Sequence, residues 1–296
     1  MATTIVVAGA TGNLGGRITT ALRRRGAEVV ALARAGASAD KVAALEDLGA
    51  RVARVDMADA RTIATACTGA ACVVSAVQGL RDVVVEAQSA LLEGAIAAGV
   101  PRFIPSDFST DFTTLSAGQN RNFDLRRAFH ARLDGAPIAS TAIFNGAFAE
   151  ILTYNVPLLD VERKVVGYWG DPNWRIDFTT MGDTAAYTAA AALDPTTPRA
   201  LRIASFQVSA ADLATFTKDV LKTPFALVRM GSLDDLAASN ARERAAHPEG
   251  EAELYPQWQQ SQYIHSMLSA RHASLDNDRY PDLTWTTLQE LLAPRS

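Results

Sequence analysis

Residues 5–16 read Ile5-Val6-Val7-Ala8-Gly9-Ala10-Thr11-Gly12-Asn13-Leu14-Gly15-Gly16. A short apolar run ends in three glycines spaced G-x-x-G-x-x-G, and Ile18, Ala21 and Leu22 then recur at helical spacing. The order is strand, tight turn, helix, the context in which such glycines bind a nucleotide diphosphate. Gly9 permits the turn, Gly12 lets the backbone approach the phosphates, and Gly15 lets the helix pack on the strand. The first helical N–H groups, with their partial positive charge, face the anion. Gly9, Thr11, Gly12, Asn13, Leu14 and Gly15 are therefore assigned to a nucleotide, against the alternative of a glycine-rich turn without a ligand.

The same rhythm repeats downstream. Strands are expected over residues 27–33, 51–55, 71–77 and 102–104, alternating with helices over about 39–48, 59–67 and 83–98. Strand–helix units of this length form a parallel sheet covered on both faces, and right-handed crossovers make it a doubly wound, Rossmann-type α/β fold. From about Ala147 the rhythm breaks into shorter strands and helices with no repeat and no low-complexity linker. The expected division is residues 1–150 as the nucleotide-binding domain and 151–296 as a smaller appended substrate lobe, with parts of the chain returning to the sheet. Segment 245–260, holding Pro248, Gly250 and Pro256, reads as a lid or mobile loop.

The 296 residues are 48% hydrophobic and 20% charged, with a net charge of −4, which describes a globular protein without a general nucleic-acid or anionic-membrane surface. No apolar run approaches the roughly 20 residues that span a bilayer. The first fifteen residues lack a secretory pattern, and two cysteines cannot build a disulfide framework. A cytoplasmic protein acting on a small molecule, as monomer or homodimer, is expected. The four histidines do not sit with the cysteines at metal-ligand spacing, and neither a G-x-S-x-G elbow nor a G-x-x-x-x-G-K-[ST] loop occurs.

In such sheets ligands lie beyond the carboxyl ends of the strands. At the second strand end, where NAD-preferring enzymes usually carry Asp or Glu, this chain has Arg34, with Lys41 seven residues on. A carboxylate repels a 2′-phosphate and a guanidinium binds it, so the cofactor read from the sequence is NADPH; the alternative is a solvated surface arginine. Two readings stand for Asp56 at the third strand end: acceptor for the adenine amino group, with Met57 packing on the ring, or helix N-cap. Ala76, Val77 and Gln78 end the fourth strand with small groups suited to close approach. Ser106 and Asp107 end the fifth, and Asp107 reads equally as an N-cap.

The chain resembles the NmrA-like, isoflavone-reductase-like branch of the atypical short-chain dehydrogenases/reductases. The resemblance rests on residues 9–15, Arg34, Val73-Val74-Ser75-Ala76 and Ala98-Gly99-Val100-Pro101-Arg102-Phe103-Ile104-Pro105-Ser106-Asp107-Phe108. It continues through Phe144-Asn145-Gly146, Asp171-Pro172-Asn173-Trp174, Asp183-Thr184-Ala185 and Asp278-Arg279-Tyr280-Pro281. It implies an NADP(H)-binding Rossmann domain and a C-terminal region that closes a substrate cleft. Phe144 and Asn145 are then expected at the cofactor, and Phe108, Phe148, Trp169 and Trp258 along the substrate wall. The competing reading of the lobe aromatics, Trp169, Trp174, Tyr255, Trp258 and Tyr263, is lobe core. Members of the family include reductases of aromatic and phenylpropanoid substrates, quinone reductases, and cofactor-sensing regulators.

The acid–base residues depart from that pattern. Short-chain dehydrogenases use Tyr-x-x-x-Lys, and related isoflavone-reductase-like enzymes a lysine early in the helix after the fifth strand. This chain has no tyrosine before Tyr154 and no lysine between Lys41 and Lys164. Counting back from Pro137 and Asn145 aligns the lysine position with Asp124, the candidate catalytic residue; the alternative is an exposed ion pair between Asp124 and a helix arginine. His130, off the Asp124 face, reads as a surface or capping residue. Two functions stand at this point. One is an NADPH-dependent reductase of an electron-poor aromatic, quinone or enone-type acceptor, which needs little proton assistance. The other is an NADP(H)-binding sensor that acts through a protein partner without turnover.

Overall fold

The computed structural model describes residues 2–293, which fall into two compact units. The first comprises the chain up to Phe108 together with Asn122–Ile143 and Thr184–Leu201; the second comprises Ser109–Arg121, Phe144–Asp183 and the chain from Arg202 on.

The first unit opens with β1 (Thr4–Ala8), α1 (Asn13–Arg24), β2 (Glu28–Arg34), α2 (Ala39–Asp47), β3 (Arg51–Val55), α3 (Ala60–Cys67) and β4 (Cys72–Ser75). A π-helical stretch, Asp82–Ala87, runs straight into α4 (Gln88–Ala97), followed by β5 (Arg102–Ile104), α5 (Arg121–Leu133) and β6 (Ala139–Ser140). These six strands form one parallel sheet in the order β3-β2-β1-β4-β5-β6. Strand order reverses at β1, which puts the topological switch point between β1 and β4.

Alternation of side chains explains why both faces are covered. Val6, Ala8, Val30 and Leu32 join Ile63, Leu91, Ala95, Phe103 and Phe129 in one core. Ile5, Val7, Val29 and Ala31 point to the opposite face and are just as buried, as are Ile18 and Leu22 of α1. Arg102, a buried charge on β5, is satisfied by the carbonyls of Ala191 and Ala192 and the hydroxyl of Thr197 at 2.9, 3.2 and 2.6 Å. Those acceptors lie at the end of the later helix α6 (Met181–Leu193) and just beyond it.

The remaining strands are β7 (Ala142–Phe144), β8 (Ala147–Phe148), β9 (Val165–Trp169), β10 (Ile176–Thr179), β11 (Ala200–Arg202), β12 (Phe206–Val208) and β13 (Ala226–Gly231). β12, β10 and β8 form a three-stranded sheet, β11 pairs with β7, and β13 with β9. The remaining helices are α7 (Ala210–Asp219), α8 (Leu233–Ala246), α9 (Gln257–Ser269) and α10 (Leu288–Leu292). Ser209, Ser232 and Thr287 close capping boxes at α7, α8 and α10. The second unit has its own core, built on Leu152, Leu158, Val166, Phe178, Leu213 and Met267.

The backbone N–H of Asp183 donates to Thr180 Oγ1, while its carboxylate accepts from Ser205 Oγ and Thr286. Within segment 245–260, read from the sequence as a lid or mobile loop, the buried guanidinium of Arg121 donates to the carbonyls of Gly250, Glu251, Glu253 and Leu254 at 2.8–3.3 Å. That anchor is non-local, and loop composition alone does not reveal it. Among the described residues no helix is long and apolar enough to cross a membrane.

Two measurements test this architecture. A Cβ on Gly15 would stand 2.2 Å from Gly9 O, whereas one on Gly26 meets nothing within 4 Å despite its positive φ. Gly15→Ala is therefore expected to lose at least about 2 kcal/mol in urea unfolding, and Gly26→Ala about 1 kcal/mol. His272, buried in the second unit, has its pKa pushed below the ordinary 6.5, chiefly by burial, which outweighs the opposing charges of Asp177 and Asp111. A depressed histidine pKa means that the unfolded chain takes up the proton first. Its stability contribution is thus full above 6.5 and is lost as pH falls through the folded value. Thermal melts should show this decline, and His272→Gln should make it shallower.

Candidate active site

Because the six strands are parallel, the residues that end them come out on one edge of the first unit. Gly9 takes φ +78°, and a Cβ there would sit 2.4 Å from the carbonyl oxygen of Ala76, so only glycine lets β1 turn this close to the end of β4. Gly15 faces Gly9 O in the same way. Gly12 differs: a Cβ there meets only Gly9 O, at 3.2 Å, and the residue is exposed. Helix α1 starts from Gly12 with no side-chain cap and no acidic residue in its first turn. Its leading N–H groups are thus left for an external anion, and nothing negative opposes one there. Asn13 accepts from Arg17 Nε at 2.8 Å, which holds a cation in the first turns of the same helix.

Arg34 and Lys41 are both exposed, the first at the end of β2 and the second in α2. Asp56 is exposed at the end of β3, and its Oδ1 accepts from Ala58 N at 2.9 Å; the cap of α3 is Asp59, which accepts from Arg61 N. The N-cap reading of Asp56 is thereby removed. Met57 packs against the first unit's core.

The ends of β4 and β5 are joined. Ser106 Oγ donates to Val77 O at 2.7 Å, and Ser106 N donates to Gln88 Oε1 at 2.9 Å. Gln88 is buried in α4 and was not singled out from the sequence; its signal was a polar residue in register with Val84 and Leu91 on an apolar face. Ser75 is fully buried at the end of β4, and among the described residues its hydroxyl has no hydrogen-bond partner.

The α5 residues fall out differently from their sequence reading. His130 is not a surface or capping group: its Nε2 lies 2.6 Å from Asp107 Oδ2, with the Asp107 side chain 1% exposed. The Asp107 carboxylate is thereby tied to α5. Asp124 pairs with Arg127 at 2.7 Å, both partly exposed, an i,i+3 pair of small energetic weight. Arg126 donates to Ser106 O and Asn122 O, both at 3.2 Å, tying the helix to the end of β5. Phe108 is buried in the same unit.

The second unit carries the other assigned residues. Asn145 is fully buried, its backbone N–H donates to Ser109 O, and its carbonyl accepts from Thr179 Oγ1. Among the described residues neither atom of its side-chain amide has a partner, which leaves a donor and an acceptor for a ligand or water. Gly146 follows at φ +64°, where a Cβ would strike Asp177 O at 2.2 Å. Phe144 packs edge-on against Phe112 beneath the Arg202 guanidinium. Phe148 is half-buried on β8, and Trp169, also half-buried, packs on the second core. Trp258 is 2% exposed, with Arg121 over its ring at 4.8 Å and Arg244 at 5.1 Å, so the indole faces are not open to a ligand. Trp174 likewise belongs to packing, its Nε1 donating to Met267 O. Among the described residues no group of three or more His, Cys, Asp or Glu could hold a metal ion.

Comparison with known proteins agrees with this geometry. Pinoresinol reductase 1 of Arabidopsis thaliana is 32% identical over 210 residues, a match covering 66% of this chain and 66%, just under two thirds, of that relative's own length. The solved complex of AtPrR2 with NADP+ and (+)pinoresinol superposes with a TM-score of 0.79 at 23% identity, covering 99% of this chain and 98% of the other. The crystal structure of isoflavone reductase gives 0.81 at 20% identity, covering 99% of each. At such identities the structural likeness establishes a shared fold. The model of the NmrA-like family matches residues 1–228, from the glycine turn through the Asn145 loop and on to β13. The chain belongs to the NmrA-like family.

Proposed function

We propose that the protein is an NADPH-dependent reductase of a small, electron-poor, aromatic acceptor of quinone or enone type. One observation carries the reading: the carboxyl edge of the six-stranded sheet offers an uncapped helix start at Gly12 beside an arginine, Arg34, where a carboxylate would exclude a 2′-phosphate. The reductases among the relatives support it, pinoresinol reductase 1 foremost.

The residues present fit that cofactor. The N–H groups from Asn13 to Gly15 would hold the diphosphate, Arg34 and Lys41 the 2′-phosphate, and Asp56 with Met57 the adenine. Ala76, Val77 and Gln78, with Ser106 braced on Val77 and Asp107 held by His130, would form the wall beside the ribose and nicotinamide. In the second unit, Asn145, whose side-chain amide has no partner among the described residues, is proposed as a further cofactor contact together with Phe144. The chemistry NADPH supplies when bound is hydride donation to an electron-poor carbon.

Proton supply is where the chain departs from a Tyr–Lys enzyme. Asp124 is neutralised by Arg127 in a partly exposed pair and is read as a residue that positions the start of α5. An electron-poor acceptor leaves a weakly basic oxygen after reduction, so water suffices as the acid. Phe108, buried in the first unit, is proposed to give the acceptor an apolar contact, and Phe148, half-buried in the second, is kept as a substrate-contact candidate.

NADPH oxidation is expected with quinones, enones or aromatic aldehydes in a steady-state screen; turnover of simple ketones alone would overturn the reading. Arg34→Glu should raise the NADPH dissociation constant about 100-fold while leaving NADH nearly unchanged, since the lost charge-assisted bonds touch only the 2′-phosphate. Asp124→Asn should alter kcat by less than about threefold, in line with an exposed ion pair; a loss of two orders of magnitude would make Asp124 the acid.

A further inference from the structure

A cavity is built entirely within the second unit, from α8, α9 and the loop before α5, with a volume of about 550 Å³. Helix α8 turns two adjacent rows toward it. Ala237, Ala241 and Ala245 recur every fourth residue and form a flat apolar strip; Asn240 and Arg244, also four apart, run beside it. Across from them α9 contributes Gln262 and His265.

The polar groups here are unusual for what they do not bond. Asn240, Gln262 and His265 are 5%, 3% and 6% exposed, so nearly all of each side chain is out of solvent. Gln262 Oε1 accepts from Arg121 N at 3.1 Å, and among the described residues its amide nitrogen has no acceptor. Among the described residues neither the Asn240 amide nor the His265 ring has a hydrogen-bond partner, yet their polar atoms are not sealed in as the Asn145 amide is. They open into the cavity. Buried polar groups are ordinarily paired, and three unpaired ones converging on one space of ligand size describe a binding site.

Charge selects the ligand. Arg244 Nε lies 2.6 Å from Glu251 Oε1, and Glu251 also reaches Arg121 at 3.7 Å, so the cation and the anion of the lining already satisfy each other. A charged ligand would have to break that pairing. Burial lowers the His265 pKa below its ordinary value, so the ring is neutral and offers one donor and one acceptor.

We propose that this cavity binds a flat, uncharged, hydroxylated ring, its face on the Ala237–Ala241–Ala245 strip and its polar groups bonded to Asn240, Gln262 and His265. The site uses none of the residues assigned to NADPH, and it stands whether or not the protein turns NADPH over.

The test is a ligand-observed NMR titration of the full chain with 4-hydroxybenzamide, which carries one phenol and one neutral amide, against 4-hydroxybenzoate as its charged counterpart. Saturable binding is expected, with a dissociation constant on the order of 1 mM for a ligand of about ten heavy atoms. The benzoate should bind at least about fivefold more weakly. Ala241→Phe, which fills the strip, should abolish binding, and Asn240→Leu should weaken it about fivefold, the worth of one hydrogen bond. NADPH binding and thermal melting of the same samples report that each variant is folded, and if Ala241→Phe does not fold, Asn240→Leu decides. Absence of saturable binding, equal or tighter binding of the benzoate, or affinity unchanged in the folded variants would overturn the proposal. Failure of the wild-type chain to bind NADPH would count against the reductase reading and leave this site untouched.

Discussion

The close approach of two backbones at Gly9 is the constraint from which the first unit is built. A main chain that must pass within contact of the Ala76 carbonyl at φ +78° admits no side chain. The same carbonyl–glycine packing recurs in the first turn of α1, where Gly15 rests on Gly9 O. Once these two contacts are made, α1 lies against β1 with its N-terminus on the sheet edge, and β4 lies beside β1. The switch point of the sheet follows from that geometry, and so does the place where an anion meets free N–H groups.

The other strand ends are joined to this one by polar contacts that burial makes strong. Ser106 bonds Val77 and Gln88, so β5 and α4 are fixed to the end of β4. Asp107 and His130 bind the end of β5 to α5 through a pair almost withdrawn from water. A buried polar pair costs more to break than it contributes when made, because either partner left alone keeps its desolvation penalty. Such contacts act as locks on geometry more than as sources of stability, which suits an edge where ligand atoms must be met within tenths of an ångström.

The second unit follows another logic. Its polar interior is organised by Arg121, whose guanidinium takes four main-chain carbonyls and lies on Trp258, with Arg244 against the same ring. A segment rich in proline and glycine is thereby given a fixed course without a strand or a long helix of its own. The same cluster lies beside the α8–α9 space, where two amides and a neutral imidazole face an alanine strip.

The parallel sheet, its glycine turn and the arginine at the end of β2 were legible in the chain because each is local: a strand, a turn and a helix lie within twenty residues, and their periodicities differ. Asp124 beside Arg127 was legible for the same reason, as neighbours on one helix. The pairing of His130 with Asp107 was not, since 23 residues separate them and helical spacing says nothing of what a side chain meets across a sheet. The anchoring of residues 250–254 by Arg121, about 130 positions away, was equally out of reach. The burial of Trp258 between two guanidiniums and the orphaned amide of Asn145 were also decided only by packing. Local periodicity and backbone sterics determine the elements and the turn, whereas which polar group is paired and which is left waiting for a ligand depends on contacts that only the folded chain brings together.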